Sequence, residues 1–92
     1  MRITAELSLY PLQADFIPRI QGFIHGLRAG GRIEVHSNQM STQLRGEFDD
    51  VVDAIRAALR QSFESGGSEV LVAKFLNADL PLVEAPDLGS HD

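Results

Sequence analysis

Residues 32–47 read RIEVHSNQMSTQLRGE, and the division of this stretch decides the fold. Ile33 and Val35 alternate with Glu34, His36 and Asn38, the period-two pattern of a strand with one apolar face. A bend near Gln39 and Met40 returns the chain into another strand, residues 41–47, whose clearest core residue is Leu44. Gly46 marks a bulge or a close approach within that strand. Two strands in direct succession make an antiparallel hairpin, so the chain departs here from simple strand–helix alternation.

On the N-terminal side, residues 2–10 alternate without a break. Ile3, Ala5, Leu7 and Leu9 point one way and Arg2, Thr4, Glu6, Ser8 and Tyr10 the other. Pro11 ends the regular pairing, and Asp15 caps a helix that tolerates Pro18 in its first turn. Phe16, Ile20, Phe23, Ile24 and Leu27 recur at helical spacing, Gly22 and Gly26 allow a close neighbour, and Gly30–Gly31 close the element. On the C-terminal side Asp49 is the expected cap of a second helix. Its buried stripe is Val52, Ile55, Leu59 and Phe63, with Val51, Ala58 and Ser62 beside it, and Gly66–Gly67 stop it. The last strand, residues 69–76, turns Leu71, Ala73 and Phe75 inward and Lys74 outward.

The order is therefore β-α-β-β-α-β. Right-handed crossovers around one hairpin predict an α+β, ferredoxin-like sandwich: an antiparallel four-stranded sheet, order 4-1-3-2, with two helices on one face. Residues 1–76 form the expected domain. Residues 77–92 hold two prolines and four acids, and are read as a flexible tail or an arm that packs when a subunit or ligand is present.

Ninety-two residues make one small domain with a modest core, for which support from a partner subunit is physically reasonable. There is no cysteine, which removes disulfides and thiolate metal sites. No segment approaches the ~20 apolar residues of a membrane span, so no membrane insertion is expected. The alternating N-terminus does not resemble a secretory signal, and a cytoplasmic location is expected. The net charge of −5 is unevenly spread: residues 1–76 carry nine acids against eight bases, and the other four acids are Asp79, Glu84, Asp87 and Asp92. Neither part supplies the positive surface that phosphate backbones require. The third strand of an RNA-recognition module also needs aromatics on its open face, which STQLRGE lacks. No nucleic-acid partner is expected.

Catalytic signatures are equally sparse. His25, His36 and His91 form no local metal-binding pattern. Asp49, Asp50 and Asp53 lie in the first turns of a helix, where negative charge is favourable without any catalytic duty. Both glycine pairs follow helices, whereas a phosphate cradle precedes one. Neither a catalytic residue nor a metal or required cofactor is expected, and only Glu6 or His36 offers an acid or base near a ligand face.

The bend itself carries the functional signal. Asn38, Gln39, Ser41, Thr42 and Gln43 place five uncharged hydrogen-bonding side chains in six positions. The face of the sheet away from the helices combines Glu6, Ser8, Tyr10, Glu34, His36, Gln43 and Arg45 with Val70 and Val72. Such a mixture suits a covering group that is both apolar and hydrogen-bonding. Amides and hydroxyls meet the edge of such a group without the desolvation penalty of a charge, and Tyr10 or Met40 can cover its face. Glu6 can accept a hydrogen bond from it or offset a positive charge on it. Each residue also has a plainer reading, with Tyr10 ending a strand, Met40 filling the core, His36 meeting solvent, and Ser41 and Thr42 bonding the hairpin.

AELSLYPL (residues 5–12) and NQMSTQLRGEFDDV (residues 38–51) resemble the thiamine-binding YkoF-like family over about residues 2–76, most specifically in Met40-Ser41-Thr42-Gln43-Leu44-Arg45-Gly46. The resemblance implies a ferredoxin-like domain that pairs with another copy, as a dimer or tetramer. It also implies binding of thiamine or its hydroxymethylpyrimidine portion, in uptake or salvage and without catalysis. Ser8, Tyr10, Asn38, Met40, Ser41 and Thr42 are the positions it carries over. The competing expectation is an interaction module in which Tyr10, Val70 and Val72 form a subunit interface and no small molecule binds.

Overall fold

The computed structural model describes residues 1–84. Its elements run β1 (Arg2–Pro11), α1 (Phe16–Arg28), β2 (Glu34–Ser37), β3 (Thr42–Glu47), α2 (Phe48–Glu64) and β4 (Glu69–Leu76). They form one antiparallel sheet in the order β2-β3-β1-β4, with the hairpin β2–β3 on one side of β1 and β4 on the other. This is the ferredoxin-like arrangement expected from the sequence.

The β1 alternation sets the layers. Ile3, Ala5, Leu7 and Leu9 are buried on the helix side with Leu44, Phe23, Leu27, Val51, Ile55 and Ala58. Full burial of side chains such as Leu7, Leu27, Leu44 and Val51 contributes about 1.5–3 kcal/mol each. Two glycines let the layers close. A Cβ on Gly26 would stand 3.3 Å from Ala58 Cβ, which sets the spacing of α1 and α2. On Gly46 it would stand 2.9 Å from Ile33 Cγ2, so that strand position is a close approach.

Three local readings shift. The buried stripe of α2 is Val51, Ile55, Ala58 and Ser62, one step round the helix from the expected centre, and Phe63 is 50% exposed. The helix starts at Phe48 after an N-cap at Glu47 rather than at Asp49, and Asp15 holds the N-cap of α1 without a side-chain bond. Phe75 lies on the helix-side face, opposite Ala5, yet is 56% exposed. The helices pack mainly on β1, β2 and β3, which leaves edge strand β4 thinly covered. Where β4 begins, the nearly buried Arg19 guanidinium of α1 lies 3.6 Å from the buried Glu69 carboxylate and donates to Ser65 Oγ at 3.0 Å.

Beyond β4 the chain folds back onto the open face. Thr4 Oγ1 donates to Ala78 O at 2.7 Å and accepts from Leu80 N–H at 3.0 Å. Asp79 accepts from Arg2 Nε at 3.0 Å and from Arg45 Nε at 2.6 Å. Residues 77–80, read from sequence as the start of the tail, thus cover the Thr4 end of that face; residues 85–92 of the expected tail lie outside the described residues. Among the described residues no helix is long and apolar enough to cross a membrane.

Candidate functional site

The bend between β2 and β3 is built by one side chain. Asn38 Oδ1 accepts from the N–H of Met40 at 2.9 Å and of Ser41 at 3.0 Å, while Asn38 N–H donates to Ser41 O at 3.0 Å. An Asx turn of this kind substitutes a side-chain carbonyl for the next rungs of the hairpin. The turn takes β3 away from β1: their last paired residues are Leu7 and Thr42. On its other side β1 stays paired with β4 as far as Pro11. Ser8–Pro11 therefore form one bank of a notch in the sheet, and residues 38–42 form the other.

Over this notch lies a cleft of about 140 Å³. Ile20, Phe23 and Ile24 of α1 provide an apolar wall, with Leu7 and Leu9 beneath. Ser8, Tyr10, Asn38, Gln39, Met40, Ser41 and Thr42 complete its lining. All six positions named by the family resemblance meet at one cavity, although they come from two segments about thirty residues apart. Glu6 and His36 do not line it; both lie on the open face, opposite Gln43 in neighbouring strands.

Ser41 and Thr42 serve different sides of the sheet. Thr42 is buried and shares a 2.8 Å hydroxyl hydrogen bond with Ser37. Ser41 Oγ donates to Glu6 Oε2 at 2.8 Å and accepts from Gln43 Nε2 at 2.6 Å, and Lys74 Nζ lies 3.5 Å from Glu6 Oε1. Glu6 is thus coupled to the cleft through Ser41. Met40 stands at the lip, 85% exposed, so it fills no core position.

Charge is concentrated at the opposite end of the open face. The hydrogen bond from Arg45 holds the Asp79 carboxyl below its ordinary range, with a further contribution from Arg2, and the same bond raises Arg45. The sequence reading missed this pairing because it placed Asp79 in the tail. It also missed Leu9, Ile20, Phe23 and Ile24 as cleft residues, since their apolar spacing signals burial and not what they are buried against. A larger groove of about 310 Å³ between α1 and α2 is lined by Arg19, Gln61, Ser62 and Ser65 among others, but the Arg19 guanidinium is already engaged by Ser65. Among the described residues no three His, Cys, Asp or Glu side chains gather as a metal site.

The same architecture recurs in solved structures. Among curated proteins, no sequence is detectably similar to this chain. A Streptococcus pneumoniae protein superimposes with a TM-score of 0.77 at 21% identity, over 87% of this chain and 90% of its own. A candidate thiamine biosynthesis/salvage protein from Thermotoga maritima gives 0.76 at 16% identity, over 89% of this chain and 91% of its own. A domain of unknown function from Bacillus cereus gives 0.73 at 20% identity, over 86% of this chain and 78% of its own. At these identities the likeness is one of fold. The sequence model of the YKOF-related family matches residues 2–81, from the first strand through the segment folded over Thr4, and the chain belongs to that family.

Proposed function

We propose that the cleft binds the aminopyrimidine portion of thiamine, as free hydroxymethylpyrimidine or as part of the vitamin, and that the protein serves uptake or salvage without catalysing a reaction. The observation that carries this reading is the convergence of Ser8, Tyr10, Asn38, Met40, Ser41 and Thr42 on one cleft with an apolar wall. Its volume of about 140 Å³ is below the ~300–1,000 Å³ that encloses a drug-sized ligand. That size suits one six-membered ring with small substituents, so the thiazolium of thiamine would extend past the lip, where Glu6 supplies negative charge through its contact with Ser41. Titration calorimetry with hydroxymethylpyrimidine and with thiamine tests the reading. Saturable heat from both is expected, and no heat at millimolar ligand with folded protein would reject it.

A second observation favours self-association. Tyr10, Val70 and Val72 are 54%, 47% and 46% exposed on the same face of adjacent strands, with Tyr10 paired to Val70. A homo-oligomer joined through this strip would bury it and leave the cleft at its edge. Sedimentation of Val72→Asp against the unmodified chain tests this: the variant is expected to dissociate, and unchanged mass for both would contradict it. Ser41→Ala combined with Thr42→Ala separates the roles, since a ligand site loses affinity while assembly persists.

A further inference from the structure

The backbone of Leu9 lies where β1 loses its β3 neighbour at the cleft. In an antiparallel ladder both backbone groups of a residue point to the same side, and successive residues alternate sides. Two bonds set the parity of β1. Met1 O accepts from Phe48 N–H at 2.8 Å on the β3 side, and Leu12 N–H donates to Ser68 O at 2.9 Å on the β4 side. Odd-numbered residues of β1 therefore address β3 and even-numbered ones address β4. Pro11, which has no N–H, accordingly falls on the side where β4 loses nothing.

The rung after Leu7–Thr42 would join Leu9 to Met40, and it is absent. Asn38 Oδ1 holds the Met40 N–H, and the β1–β3 register ends at Leu7. Among the described residues no backbone or side-chain hydrogen bond reaches the Leu9 N–H or C=O across this gap. Leu9 is nevertheless a buried residue and lines the cleft. Both groups point to the cleft side of β1, where they offer an entering molecule one donor and one acceptor side by side.

We propose that the ligand replaces the missing rung. A ring nitrogen accepts from Leu9 N–H and the adjacent exocyclic amine donates to Leu9 C=O, so the pyrimidine lies in the plane of the sheet with Phe23 and Ile20 against one face. This rests on the reading of the cleft as an aminopyrimidine site and specifies how it selects: the amine beside a ring nitrogen is the recognised edge. The absent β3 rung is thus the specificity determinant, and the polar side chains around it position the bend.

Two measurements test it. The first compares calorimetric affinity for 4-amino-5-hydroxymethyl-2-methylpyrimidine with that for the same molecule lacking the amine. Loss of the bond to Leu9 C=O is expected to weaken binding about tenfold, and equal affinity would overturn the proposal. The second replaces the Leu9 amide by an ester through chemical synthesis of the chain. This deletes the N–H while keeping the side chain, and it weakens the Ser8 C=O as an acceptor in the β1–β4 ladder, where Ser8 faces Val72. Affinity about tenfold lower in a protein that remains folded is expected, whereas an ester at Leu7, which weakens the ladder but leaves the Leu9 N–H, should bind within about twofold of the amide protein; affinity of the Leu9 ester within about twofold of the amide protein would overturn the proposal. If the amino compound itself gives no heat, the aminopyrimidine reading fails and this inference with it. Binding that is indifferent to amine and ester sinks this inference alone.

Discussion

Replacing Asn38 by alanine tests the geometry of the bend. The substitution removes one acceptor from two backbone donors, Met40 N–H at 2.9 Å and Ser41 N–H at 3.0 Å. Each bond contributes about 0.5–1.5 kcal/mol net. Both lie at an exposed bend where water can replace the lost partner, so the combined loss should fall near 1–2 kcal/mol in urea denaturation. The released Met40 N–H is then able to turn toward Leu9 and extend the β1–β3 ladder, which would narrow the cleft. Affinity for hydroxymethylpyrimidine should fall by tenfold or more, roughly one lost interaction together with the competing rung. Asn38→Asp keeps the Oδ1 acceptor and should retain most of the stability and binding. An Asn38→Ala protein with wild-type affinity and an unshifted Leu9 amide resonance would refute the reasoning, because the bend would then hold without its side-chain acceptor.

The remaining predictions concern the scaffold. Thr4→Val removes both bonds to the returning segment, Ala78 O and Leu80 N–H. It should lower stability by about 1–3 kcal/mol and open the chain after Leu76 to limited proteolysis. Asp79 has a depressed pKa in the folded protein, chiefly through its hydrogen bond from Arg45. Its stabilising contribution is therefore complete above the unfolded carboxyl range and lost as pH falls through the lower folded value. Urea midpoints measured down the acid limb should drop less steeply for Asp79→Asn than for the unmodified chain. Gly46→Ala forces a methyl against Ile33 Cγ2 and should destabilise by about 1–3 kcal/mol. Combining it with Ile33→Ala, which removes the struck atom, should cost less than the sum of the single changes.

Strand order and layering were legible because their signals are local. The hairpin in residues 32–47, the unbroken alternation of residues 2–10 and two glycine-terminated helical stripes leave few topologies once crossover handedness is imposed. The depth of each side chain was less legible. Phe63 and Phe75 carry the same apolar signal as Phe23, yet both remain half exposed, Phe75 on the thinly covered edge strand. Periodicity reports which way a side chain points and is silent on whether anything lies above it. The site shows the same division. The family resemblance gathered Ser8, Tyr10, Asn38, Met40, Ser41 and Thr42, and these meet at the cleft. The open-face reading that joined Glu6 and His36 to them did not anticipate a cavity on the notch, because a missing rung depends on register, and register follows from the bend that Asn38 holds. Adjacent Ser41 and Thr42 also serve opposite faces, as strand geometry requires.

The most direct measurement is the map of backbone amide shifts as hydroxymethylpyrimidine is titrated into isotopically labelled protein. Saturable shifts centred on Leu9, Met40, Ser41 and Thr42, with Phe23 and Ile24 moving in step, are the predicted result. Shifts confined to Val70 and Val72 on the open face, or to the groove beside Arg19, would contradict the account, as would a spectrum that does not change.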